Sequence, residues 1–132
     1  MEDILQKMEE EPGFFHHNHY HVAEIGNDFV LLRADLDEDS LNPYGFAHGG
    51  LIFGLGDTAM GMIAARGGRK AVTLTSNINF LKKGKGKFIT AKAEIIKEGK
   101  STSFTRANIY DEEKTLIAVM DANYYYINEK EG

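Results

Sequence analysis

The chain has no cysteine. That excludes a disulfide framework, a thiolate zinc site and a cysteine nucleophile, and it suits a cytoplasmic location. Met1 to Glu11 are not expected to be a secretory leader: they mix acids with apolar residues and contain no basic segment followed by an apolar run. No apolar run is long enough for a membrane span. Leu51 to Ala65, the most apolar stretch, falls short of the roughly 20 residues that a bilayer needs, and it contains Asp57. There is no basic excess, and a net charge of -5 speaks against a general nucleic-acid binder. Repeats and low-complexity linkers are absent, so the 132 residues, 42% of them hydrophobic, read as a single domain, 1–132, with enough apolar matter for a core.

What is present reads as alternating elements. Residues 2–11 place Ile4, Leu5 and Met8 on one face of a short amphipathic helix, which Pro12-Gly13 ends. Phe15 to Ile25 and Phe29 to Leu36 are strand-like, and Gly26-Asn27-Asp28 supplies the turn of a hairpin. After a polar loop, Asp37 to Gly45, the segment from about Gly50 to Arg66 has the length and composition of a helix apolar nearly all round, hence buried. Gly54, Gly56 and Gly61 each cost about 1 kcal/mol in a helix interior, which suggests a backbone held close against a curved sheet. Ala71 to Leu81, Phe88 to Lys97, Thr102 to Tyr110 and Leu116 to Ile127 are further strand candidates. The turns between them are short, so successive strands are expected to be antiparallel neighbours. The fold class is α+β: a long helix against an antiparallel sheet of five or six strands.

Asp57 is the one charged side chain between Gly49 and Ala65. A buried carboxylate without partners is costly, so Asp57 is expected to be paired, to face a cavity, or to react. A structural carboxylate at a neighbouring backbone or a subunit interface is the plain alternative. The approach to the helix, Asn42-Pro43-Tyr44-Gly45-Phe46-Ala47-His48-Gly49-Gly50, is rich in glycine. A helix N-terminus carries free N–H donors, which can hold an anion or the charge that develops on a carbonyl oxygen during acyl transfer. Gly49-Gly50 can also be no more than a tight turn.

Distance restricts how the two features cooperate. Gly49 and Asp57 are eight residues apart, or roughly 12 Å along a helix. One carbonyl must sit about 3 Å from both its oxyanion donor and the attacking or activating group. One copy of the helix cannot supply both. Two copies running antiparallel across a two-fold axis can, and they make two equivalent sites per dimer.

Asn42, Gly45, His48-Gly49-Gly50 and Asp57-Thr58 have the order and spacing of a known pattern, and Ser76 to Leu81 and the turn Gly99-Lys100 fit its continuation. In these residues the chain resembles the PaaI-like branch of hotdog-fold acyl-CoA thioesterases over most of its length. The resemblance implies a hotdog fold, in which the sheet wraps the central helix and a short N-terminal helix lies outside it. It also implies a homo-oligomer, a dimer or a tetramer built as a dimer of dimers, with a thioester site at the dimer interface. Its substrate would be a small or aromatic acyl-CoA, hydrolysed without metal or other cofactor. By the same resemblance Gly49 donates its N–H to the thioester oxygen, and Asp57 of the other subunit acts as base or nucleophile. Asn42 and His48 orient thioester or water, and Thr73 on the following strand assists, with Thr75 as the fallback. The departures are Gly56, where many relatives have Ala or Cys, and Lys82-Lys83-Gly84, where many have a proline.

Other signals have plainer readings beside them. Lys82, Lys83, Lys85 and Lys87, with Lys100 and Arg106, offer positive charge for the phosphates of CoA, or simply a solvated turn. His16, His17, His19 and His21 alternate as metal ligands on a strand do, but no acid or thiol nearby completes a set. Met60, Met62, Phe46, Phe53 and Ile63 fit an acyl pocket or plain core, and Tyr124-Tyr125-Tyr126 fit strand packing. A dehydratase would pair a His with an acid to move protons beside a carbonyl. A non-catalytic acyl-CoA binding module would keep Asp57 only for structure.

Overall fold

A computed structural model describes Met8, Glu10 and residues 12–127. The amphipathic helix expected over 2–11 lies outside those residues, save that Met8 and Glu10 are helical. A helical turn, α1 (Phe14–His17), is followed by β1 (Tyr20–Ile25), β2 (Phe29–Asp35), α2 (Gly49–Ala64), β3 (Lys70–Phe80), β4 (Phe88–Glu98), β5 (Thr102–Asp111) and β6 (Leu116–Ile127). No helix among the described residues is long and apolar enough to cross a membrane.

The first strand thus begins at Tyr20, not at Phe15. Phe15 is buried and sets its ring edge-on to Tyr20, which a helical turn allows. His19, at φ 57, then swings the chain into β1. The hairpin through Gly26-Asn27-Asp28 forms as expected, with Gly26 N–H donating to the Phe29 carbonyl at 2.9 Å.

The sheet has six antiparallel strands in the order β1-β2-β4-β5-β6-β3. The last three strands are neighbours in sequence order, but β3 is not beside β4. It lies on the far edge against β6, and residues 81–87 carry the chain across the end of the sheet. Three strand spacings are about 14 Å, within reach of so short a loop. The crossing is held from below: Leu81 N–H and Lys82 N–H both donate to the Ile117 carbonyl, and Ala47 N–H donates to that of Gly84 at 2.7 Å.

The sheet wraps α2. Leu55, Ala59, Met60 and Ile63 face it together with Val30, Leu32, Ile89, Ile109 and Ile117, all nearly or fully buried. Gly56 allows the closest approach, since a Cβ there would stand 2.1 Å from Met120 Sδ and 3.2 Å from Ile109 Cδ1. Gly54 leaves room for Tyr20, whose hydroxyl donates to the Leu51 carbonyl at 2.6 Å. The helix is nonetheless not buried all round. Phe53, Gly54, Asp57, Thr58, Gly61 and Ala65 are half-buried and Gly50 is exposed, and their spacing of three or four residues makes one stripe that the chain's own sheet leaves uncovered.

Candidate active site

The N-terminal end of α2 is built by its own loop. Asn42 organises that loop: its side-chain oxygen accepts from the N–H groups of Tyr44 at 2.9 Å and Phe46 at 3.1 Å, and its carbonyl accepts from Gly45, which sits at φ 85. His48 caps the helix. Its Nδ1 accepts from Gly50 N–H at 2.9 Å, and its carbonyl accepts from Leu51 and Ile52 N–H at 3.0 and 3.1 Å. As an acceptor, Nδ1 leaves the proton of the neutral ring on Nε2.

A helix begins with four unpaired N–H groups. Here those of Gly50, Leu51 and Ile52 are all taken up by His48. Gly49 N–H has no acceptor among the described residues. Gly49 lines a pocket of about 430 Å³ together with Asn42, Phe46, Phe80, Lys82 and Lys83, so the one unspent donor of the helix start borders space fit for a ligand.

Asp57 sits two turns further on. Thr73 Oγ1 donates to its Oδ1 at 3.0 Å, and Tyr124 Oη lies 2.6 Å from the same oxygen and 2.7 Å from the Asp57 carbonyl. Thr73 reaches it from the edge strand β3 and Tyr124 from β6, opposite each other in the β3–β6 register. A bulge at Leu74 separates Thr73 from Thr75, whose hydroxyl accepts from Asn123 Nδ2 at 3.2 Å and takes no part at Asp57. Tyr124 is 2% exposed. Burial above all, then the hydrogen bond to Asp57 and its negative charge, push the phenol well above its ordinary range, against a smaller opposing effect of the Thr73 hydroxyl. Tyr124 therefore stays a neutral donor.

Of the residues singled out in the sequence, Asn42, His48 and Gly49 form one group and Asp57 with Thr73 another. One chain does not bring the groups together, because α2 itself holds them roughly 12 Å apart. Tyr124 is the member that sequence reasoning missed. Its signal was the alternation of β6, which turns Tyr124 and Tyr126 inward, although nothing local in the sequence aims the hydroxyl of Tyr124 at Asp57.

Lys82, Lys83 and Lys85 do cluster, lining one pocket, but Lys100 and Arg106 do not add to them. Lys82 and Lys83 border the Gly49 pocket, and Lys83 Nζ stands 4.7 Å above the Phe46 ring. Lys100 does not join them: it lies in the turn at the far end of β4, an eleven-residue strand that extends roughly 33 Å. Arg106 is on the outer face of the sheet, opposite Asp121 and Glu94. Acids do come to the histidines from distant sequence, one to each: His19 Nε2 is 2.9 Å from Asp37 and His21 Nε2 is 3.1 Å from Asp35. Met60 and Ile63 are core. Met62 lines a second, apolar pocket, also about 430 Å³, with Thr58, Gly61, Ala65, Ala71 and Val72 along the uncovered stripe of α2.

Residues 44–118 match the model of the thioesterase superfamily. Over 99 residues the chain is 27% identical to the acyl-coenzyme A thioesterase PaaI of Escherichia coli, covering 74% of this chain and 71% of that protein. A hypothetical thioesterase of Streptococcus pneumoniae, solved with coenzyme A, superposes with a TM-score of 0.77 at 30% identity, covering 83% of this chain and 89% of that one. A Streptococcus mutans protein solved with acetyl CoA gives 0.80 at 28% identity, covering 90% and 95%.

Proposed function

The chain belongs to the thioesterase superfamily, as a thioester hydrolase of the PaaI-like hotdog branch, and on that premise we propose that it hydrolyses acyl-CoA at a site shared by two copies of the chain. One observation carries the reading. The donor that the start of α2 leaves unspent, Gly49 N–H, and the carboxylate held by two hydroxyls, Asp57, lie on one rigid helix too far apart for one carbonyl. A second helix running antiparallel supplies the missing half, and the uncovered stripe of α2, on which Asp57 lies, is the face that would meet it.

The reaction then runs as follows. Gly49 N–H polarises the thioester carbonyl and holds the oxyanion. The Asp57 carboxylate of the other copy takes a proton from water as the water oxygen bonds to the carbonyl carbon, or it attacks that carbon itself and the resulting anhydride is hydrolysed. The C–S bond breaks, the CoA sulfur takes up a proton, and the acid is released. Lys82 and Lys83 beside the Gly49 pocket suit the phosphates of CoA. Asn42 and His48 act through the loop: one folds it, and the other uses up competing donors so that Gly49 N–H is the one available.

Relatives support the substrate class. The Streptococcus mutans protein holds acetyl CoA, which is consistent with a small acyl group here, and the apolar pocket beside Thr58 has room for an aromatic one. The Streptococcus pneumoniae protein has also been solved with a threonine and with an aspartate replaced by alanine, sixteen positions apart. Asp57 and Thr73 have the same separation.

The edge strand supports the dimer. Val72, Leu74, Phe80 and Leu81 are large apolar residues about half exposed on or just after β3, an edge that pairing with a second copy would cover. Two such dimers would give a tetramer. The test is release of free CoA thiol from short, long and aromatic acyl-CoAs. Wild type should turn over, and Asp57→Asn should form the same oligomer with kcat down by about a hundredfold or more; an equally active Asp57→Asn removes Asp57 from the mechanism.

A further inference from the structure

The two oxygens of the Asp57 carboxylate are not equivalent. Oδ1 accepts from both hydroxyls, Thr73 Oγ1 at 3.0 Å and Tyr124 Oη at 2.6 Å, whereas Oδ2 has no partner among the described residues. We propose that Tyr124 is a positioning residue, which holds Oδ1 so that Oδ2 is the atom presented to water or to the thioester carbon. The inference rests on the reading of Asp57 as the reacting acid.

Three features favour Tyr124 over a purely structural tyrosine. Its hydroxyl sits between the Asp57 carboxylate and the carbonyl of the same residue, 2.6 and 2.7 Å away. A single phenolic proton goes to the charged acceptor, the stronger of the two, so the hydroxyl holds the carboxylate and not the carbonyl. The ring is buried between β6 and α2, so the hydroxyl cannot swing away. Thr73, by contrast, reaches the same oxygen from an exposed edge strand and at the longer distance of 3.0 Å. A reacting carboxylate gains from such restraint because rate falls steeply with misplacement of the attacking atom.

Few titratable groups face Asp57. It is the one charged residue of α2, Ala71 to Phe80 of β3 contain none, and from β6 it meets Tyr124. On β5 and β6, Arg106 and Asp121 stand opposite each other in register and line a pocket on the outer face of the sheet.

The experiment compares wild type, Tyr124→Phe and Asp57→Asn as oligomers, with kcat, KM and the pH profile of kcat for each on one acyl-CoA. Tyr124→Phe is expected to lower kcat about ten- to a hundredfold, to leave KM within about twofold, and to move the acid limb to higher pH, because the carboxylate has lost a donor. A merely structural tyrosine would lower thermal stability and leave that limb in place. Wild-type kcat and an unmoved limb in Tyr124→Phe, with Asp57→Asn inactive, overturn the proposal and leave the Asp57 mechanism standing. An active Asp57→Asn removes both. Should Tyr124→Phe fold poorly, 3-fluorotyrosine placed at position 124 keeps the shape and strengthens the donor: a limb moved to lower pH supports the proposal, and an unmoved one overturns it.

Discussion

At the scale of the residue, the chemistry depends on which of several similar groups the backbone aims at Asp57. Thr73 and Thr75 are two positions apart and would share a face in a regular strand. The bulge at Leu74 breaks that symmetry and sends the Thr75 hydroxyl to Asn123. Thr73→Val is therefore expected to reduce kcat about tenfold, while Thr75→Val stays near wild type; CoA release assays on the pair decide it. That Asp57 needed an explanation was legible in the sequence, from a lone charge in an apolar helix. The choice of Thr73 over Thr75 followed from the resemblance and not from spacing, because nothing in Val72-Thr73-Leu74-Thr75 announces the bulge that leaves Thr73 facing Asp57. Tyr124 was illegible for a related reason: its partner is 67 positions away in sequence, and strand pairing over such a distance leaves no local mark.

At the scale of the element, the helix and the strands were readable from composition and alternation, and their glycines carried usable information. Gly56 was expected to mark a close approach, and it does, against Met120 and Ile109. A Cβ added at Gly61 would meet the Tyr124 ring at an ordinary contact distance of 3.5 Å. Gly56→Ala gains about 1 kcal/mol of helix propensity but forces the buried Met120 aside, and overpacking of this kind costs about 1–3 kcal/mol. The expected outcome is a net loss on the order of 1–2 kcal/mol, read as a lower midpoint in urea with an unchanged slope. What misled was the helix's apolar content. An apolar helix reads as buried on every side, yet one stripe, with Asp57 on it, lies outside the sheet. Likewise, short turns read as hairpins, yet residues 81–87 cross the end of the sheet, because β3 is held at the far edge by ten backbone pairings with β6 that a local reading does not contain.

At the scale of the whole molecule, both surprises have one consequence. An uncovered helix stripe and an apolar edge strand lie side by side, and the two halves of the proposed site are roughly 12 Å apart on one rigid helix, so the proposed mechanism calls for a second copy. This can be tested with a pair of variants, each lacking one half. Gly49→Pro removes the unspent N–H at the first helical position, where proline is well tolerated. The preceding His48, at φ -63 and ψ 137, already has the extended backbone that proline demands of its neighbour, and the new Cβ would meet the tip of the Phe80 ring at 3.3 Å. Asp57→Asn removes the other half. Each variant alone is expected to be inactive, since both of its sites lack the same group. Co-expressed at equal levels, half of the dimers are mixed and each mixed dimer has one intact site, Gly49 from one chain and Asp57 from the other, so roughly a quarter of wild-type activity should return. Native mass spectrometry reports whether mixed dimers form. Activity restored in proportion to them places the two groups on different copies; mixed dimers without activity would mean that both groups act within one chain, and the shared-site mechanism would fall.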